Sequence, residues 1–135
     1  MIQASELRIG NYLSDFQDRL VKVNAIREHG IRCRYNRRDT GEEHSSLYDC
    51  SNLSPIPLTP EILEKCGFEK VKSPYEEAET DDFFLTPLYF DMANTSIKIN
   101  GVYQKINYPE SLHQLQNLYH ALTGEELTYN VIISG

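Results

Sequence analysis

The segment from Asn107 to Leu127 constrains this chain more than any other, because its ends and its periodicity both describe one amphipathic helix. Asn107 is placed to accept from the first-turn backbone, Glu110 three residues on to reach back, and Pro109 stands in the permissive first turn. Gly124 supplies the stop. Between these ends Leu112, Leu115, Leu118, Tyr119 and Leu122 recur at helical spacing, while His113, Gln116, Asn117 and His120 line the opposite side. The apolar face packs; the polar face recognises a partner or meets solvent.

The chain before this helix reads mostly as short strands. Gly10-Asn11 turns into Tyr12-Leu13, a polar turn spans Ser14 to Asp18, and Leu20 to Ile26 is rich in Val and Ile. After a turn at His29-Gly30, Ile31, Cys33 and Tyr35 alternate with Arg32, Arg34 and Asn36, so the first set points inward and the second outward. Arg37 to Glu43 forms the hairpin tip and Ser45 to Tyr48 the returning strand, followed by Leu53 and Ile56. Pro55-Ile56-Pro57 closes this part, since proline donates nothing to a ladder. Residues 1–57 are therefore expected to form a small SH3-like β-barrel.

Residues 58–135 read as α+β. Thr59 as N-cap, Pro60 at the first helical position and Gly67 frame a short helix that turns Ile62, Leu63 and Cys66 inward. Phe68 to Lys72, Phe83 to Asp91, Thr95 to Asn100, Val102 to Ile106 and Leu127 to Ile133 are expected strands. Asn100-Gly101 is a two-residue hairpin turn. The acidic stretch Ser73 to Asp82 is a solvated loop. The whole is an N-terminal barrel followed by an antiparallel sheet covered by two helices, in one cooperative unit.

Charge and cysteine usage narrow the function. The net charge of −7 disfavours bulk binding to nucleic acid or anionic membrane. Residues 1–57 carry eight Lys/Arg and eight Asp/Glu, whereas residues 58–135 carry five and twelve, so the excess negative charge lies entirely in the second part. No apolar run approaches the roughly 18 residues that span a bilayer, and the N-terminus has no signal-peptide pattern. Three cysteines without a close pair fit reduced thiols in the cytoplasm, and the N-x-S triplets at Asn52 and Asn94 carry no glycosylation message there.

Phosphate-binding glycine loops, a helical H-E-x-x-H pair, C-x-x-C couples and a G-x-S-x-G elbow are all missing from the sequence, which points away from an enzyme. His29, Cys33, His44 and Cys50 are numerically a zinc set, but their spacing fits no zinc knuckle and Cys33 lies on an apolar phase; no metal and no cofactor are expected. Two surfaces are candidates. His113, Gln116, Asn117 and His120 form the stripe expected to bind a protein partner. Arg32, Arg34, Arg37 and Arg38, with Tyr35, form a hairpin suited to phosphate contact and base stacking, opposed by Glu28, Asp39, Glu42 and Glu43.

Three blocks together resemble a known family: Glu6-Leu7-Arg8-Ile9-Gly10-Asn11, then Pro55-Ile56-Pro57-Leu58-Thr59 leading to Cys66-Gly67-Phe68, and Leu112-His113-Gln114-Leu115-Gln116-Asn117-Leu118-Tyr119 running to Ala121-Leu122-Thr123-Gly124-Glu125-Glu126-Leu127. The chain resembles short uncharacterised proteins encoded in prophages and integrated mobile elements of gut-dwelling bacteria. That resemblance implies a genetic context and assigns no activity, cofactor or catalytic residue. The expected function is a non-enzymatic, protein-binding accessory module of a phage or mobile element. The alternatives are nucleic-acid binding through the arginine hairpin, and an acidic mimic of nucleic acid that blocks a host protein.

Overall fold

A computed structural model describes residues 2–36, 40–75, 80–92, 94–104 and 108–130. Among the described residues, two five-stranded antiparallel sheets and two α-helices make an α+β fold. The first sheet contains β1 (Tyr12–Asp15), β2 (Leu20–Arg27), β3 (Gly30–Asn36), β4 (Glu43–Tyr48) and β5 (Leu53–Ser54), in the order β4-β3-β2-β1-β5. It curls into a half-barrel, with a 3-10 turn at Cys50–Asn52 leading the chain back so that β5 pairs with β1. The alternation expected in β3 holds, with Ile31 and Cys33 buried and Arg32 and Arg34 on the other face. A bulge between Val23 and Ala25 shifts the β2–β3 register by one residue, at Asn24. Inside the curl lie Ile2, Leu7, Leu13, Val21, Val23, Ile31, Cys33, Tyr48 and Leu53.

The second half opens with α1 (Pro60–Lys65), whose Thr59 hydroxyl accepts from Ile62 N at 3.2 Å and whose proline takes the first turn. The second sheet follows as a meander: β6 (Glu69–Val71), β7 (Asp82–Leu85), β8 (Leu88–Asp91), β9 (Ser96–Ile99) and β10 (Val102–Tyr103). Asn100 and Gly101, at φ 52° and 81°, form the expected tight turn. Its inner face, Phe83, Leu88, Phe90 and Ile97, meets Leu63 and Cys66 from α1 and Leu112 and Leu115 from α2 (Leu112–Thr123). Among the described residues, no helix is long and apolar enough to cross a membrane.

Several boundaries differ from the sequence expectation, most of them for a backbone reason. Phe83 to Asp91 is two strands, because the chain turns at Thr86-Pro87 to pair Leu85 with Leu88. Strand β4 begins at Glu43, against Asn36, so the returning strand claims part of the expected tip; Arg37 to Asp39 lie outside the described residues. Helix α2 begins at Leu112 because residues 110–112 are held extended against 56–58: Leu58 N donates to Glu110 O (3.1 Å) and Leu112 N to Ile56 O (2.8 Å). Gln114, not Glu110, reaches back, accepting from Glu110 N at 2.9 Å, while Asn107 lies outside the described residues. Gly124 ends the helix at φ 75° as expected. Residues 127–130 join no ladder, and the rest of the expected last strand lies outside the described residues.

Candidate functional site

Much of the polar side of α2 is covered rather than open to solvent. It forms a seam with the lead-in to β1. Gln116, 1% exposed, donates from Nε2 to Gly10 O (3.0 Å) and accepts at Oε1 from Tyr12 N (2.8 Å). Asn117 Oδ1 accepts from Asn11 Nδ2 (2.8 Å) and Arg8 Nε (3.2 Å), and its Nδ2 donates to Glu6 O (2.8 Å). The Arg8 guanidinium also pairs with Glu126 and thereby holds the Glu126 carboxyl below the usual carboxylate range. Gly10 takes φ +102°, a conformation glycine adopts readily, and this directs its carbonyl path beneath α2.

His113 is buried in the same seam, with Nδ1 3.1 Å from Ser111 Oγ and Nε2 3.4 Å from Glu6 Oε1. Burial pushes its pKa down from 6.5, and the Glu6 carboxylate partly opposes that shift. His120 remains half-exposed. The expectation of an open recognition stripe at His113, Gln116, Asn117 and His120 is therefore corrected: the first three are occupied by the N-terminal segment, because the strand entering β1 presents backbone donors and acceptors that need polar partners.

The arginine hairpin is partly assembled. Arg34 lies 3.5 Å from Glu43, and Arg32 donates to Ser45 Oγ at 3.5 Å. Tyr35 is not free to stack, since Arg19 sits 4.0 Å from its ring centroid and His44 stacks against it at 5.8 Å. Arg19 is in turn held by Asp15, a buried carboxylate that accepts from Arg19 Nε (2.8 Å), Arg19 N (2.9 Å), Gln17 N (2.9 Å) and Tyr48 Oη (3.0 Å). Burial alone raises the Asp15 pKa, but these donors outweigh it and lower the value. The polar turn from Ser14 to Asp18 is the sequence signal for this site, while its link to Tyr48 follows from the fold. Arg37 and Arg38 lie outside the described residues.

Between the seam and the hairpin runs an open groove of about 700 Å³. Its floor is the outer face of the first sheet, where Tyr12, Lys22 and Arg34 stand opposite one another on β1, β2 and β3, with Asn24 at the bulge. Glu126 to Tyr129 form the far wall, and Tyr129 meets Tyr12 edge-on at 5.0 Å. Tyr12, Lys22, Asn24 and Tyr129 carry no distinguishing motif, and only the pairing register brings them together.

A second surface is the outer face of the second sheet. Glu69, Phe84, Tyr89, Lys98 and Tyr103 form a row across β6 to β10. Phe84 and Tyr103 are 38% and 52% exposed, and Lys98 Nζ lies 5.2 Å and 4.6 Å from the Tyr89 and Tyr103 ring centroids. The tyrosine hydroxyls are anchored from below: Tyr89 donates to the buried Asp82 at 2.5 Å, and Tyr103 to the buried Asp91 at 3.4 Å.

The cysteines are free thiols, and burial pushes Cys33 and Cys66 up to about 12, leaving almost no thiolate at neutral pH. Of the zinc-like set, Cys33 lies in the core while His29 projects into solvent, so the four do not converge. No protein family, curated protein or solved structure matches the chain.

Proposed function

We propose that the chain is a non-enzymatic, protein-binding accessory module, working in the cytoplasm in the prophage or mobile-element setting that its three sequence blocks resemble. The observation that carries this reading is the row of rings on the outer face of the second sheet. Helices cover the other face, yet Phe84, Tyr89 and Tyr103 are left outward, and Tyr75, 47% exposed, lies beside Tyr103. A contiguous aromatic face rimmed by charge is characteristic of a protein contact, where rings bury large area at little entropic cost. In the first half, the strand order, with a 3-10 turn before a short fifth strand that returns to the first, supports an SH3-like barrel. The lead-in to its first strand frames the seam with α2.

The test is quantitative capture from bacterial lysate with wild-type protein and with a Phe84→Ser/Tyr103→Ser variant, both verified as folded by thermal unfolding. A prey retained by the wild type and lost by the variant supports the reading. Identical capture by both removes this face from the function.

A further inference from the structure

We propose that the groove between the first sheet and the C-terminal segment is a binding site for a nucleotide, either free or as one unit of a single strand. The inference is independent of the protein-binding reading, since it rests on another face. A nucleotide has two recognisable parts: an anionic phosphate that seeks converging cations and amide donors, and a flat ring that seeks an aromatic wall.

The groove offers both at neighbouring positions. Lys22 and Arg34 are direct cross-strand partners on one face, so their charged ends project from backbone positions about 5 Å apart. At the bulge on β2, the Asn24 amide, turned into the orientation that satisfies both its neighbours, donates to Arg32 O (2.8 Å) and accepts from Arg34 Nε (3.2 Å). This second bond holds the guanidinium over the groove floor. Lys22 is exposed and, among the described residues, has no carboxylate at ion-pair distance. The Glu126 carboxylate on the opposite wall is neutralised by Arg8, and the Arg34 contact to Glu43 at 3.5 Å is exposed enough to exchange for a stronger anion. Tyr12 and Tyr129, set edge to face, are the rings beside the cations; Lys22 Nζ lies 5.4 Å from the Tyr12 ring centroid, so a base that stacks on Tyr12 displaces this ammonium toward the phosphate.

The size agrees: about 700 Å³ holds one nucleotide with room for a neighbour. The overall charge of −7 does not forbid it, because among the described residues Glu126 is the one carboxylate that lines the groove and it is paired with Arg8, while screening confines the influence of more distant charges to about 10 Å at 0.1 M salt. The site differs from the arginine hairpin read in the sequence: Arg34 is shared, but Tyr35 is held between Arg19 and His44, and the rings at this site are Tyr12 and Tyr129.

The experiment is fluorescence anisotropy of a labelled twelve-residue oligo(dT) with the full chain at low salt, followed by competition with dTMP and with inorganic phosphate. The comparison proteins are Lys22→Ala/Arg34→Ala, whose changes fall on exposed side chains, and Arg27→Ala, an exposed arginine on β2 outside the groove. Expected are binding weakened about tenfold or more in the double variant, unchanged binding in Arg27→Ala, and a salt slope reduced by about two. Displacement by dTMP assigns the site to free nucleotides; displacement by unlabelled oligo(dT) alone assigns it to single strands, and either supports the proposal. Absence of binding at low salt, equal weakening by Arg27→Ala, or displacement by inorganic phosphate as effective as by dTMP overturns it.

Discussion

Helix α2 makes two unlike contacts on its two sides. Toward its own sheet it presents Leu112 and Leu115, fully buried among Phe83, Leu88, Phe90 and Ile97. Toward the first half it presents Gln116 and Asn117, which meet the chain from Glu6 to Tyr12 through hydrogen bonds, and His113, whose Nε2 lies 3.4 Å from Glu6 Oε1. Apolar packing is non-directional and holds a helix against a sheet over a range of rotations and shifts. A side-chain amide that must meet one carbonyl and one N–H at once holds in a single register. The leucine side thus provides most of the attraction, and the amide side defines how the two halves are set against each other.

That division of labour predicts a graded series. Leu115→Ala, which empties a fully buried position, is expected to cost about 2–5 kcal/mol in urea unfolding with the slope of the transition retained. Gln116→Met keeps the volume but strands the Tyr12 N–H and Gly10 carbonyl, at about 2–3 kcal/mol. If that variant is as stable as the wild type, the seam does not define the packing of the halves. Weaker again is the Arg8–Glu126 ion pair, whose carboxylate side chain is 52% exposed; a double-mutant cycle with alanine is expected to give a coupling of about 0.5 kcal/mol that fades in high salt.

The gentlest perturbation is pH. His113 has a folded pKa below its unfolded value near 6.5, so the folded protein binds fewer protons than the unfolded chain in that range. Its contribution is complete above about pH 6.5 and is lost as pH falls toward the folded value. Urea midpoints should decline between about pH 7.5 and about pH 5.5 in the wild type, and decline less in His113→Asn. An unchanged slope in that variant would assign the pH dependence to other groups. Asp15 acts in the same direction at lower pH, its lowered pKa giving stability that disappears as pH falls through the carboxylate range.

Much of the architecture was legible because it follows from neighbours in sequence. The Ile31/Cys33 alternation, the Thr59-Pro60 start of α1, the Asn100-Gly101 turn and the Gly124 stop each depend on a few adjacent residues and the φ angles they permit. The N-terminus of α2 is not legible in the sequence because residues 110–112 pair with 56–58, a contact that no local propensity encodes. The candidate sites were less legible still. Polar residues opposite an apolar helical stripe read as solvent-facing by default, and the rule fails when the neighbouring element presents unpaired backbone groups.

The sequence alone, then, determined where strands, turns and helix ends fall and which faces are apolar, since those preferences act over a few bonds. Tertiary structure decided what the polar side chains are for. Gln116 and Asn117 meet partners 104 to 111 positions away, and Tyr12, Lys22, Arg34 and Tyr129 share one groove only after three strands have paired in register and the C-terminal segment has folded back beside them. A hydrogen bond or a binding groove is defined by position and direction in space, and neither exists until the chain has closed on itself.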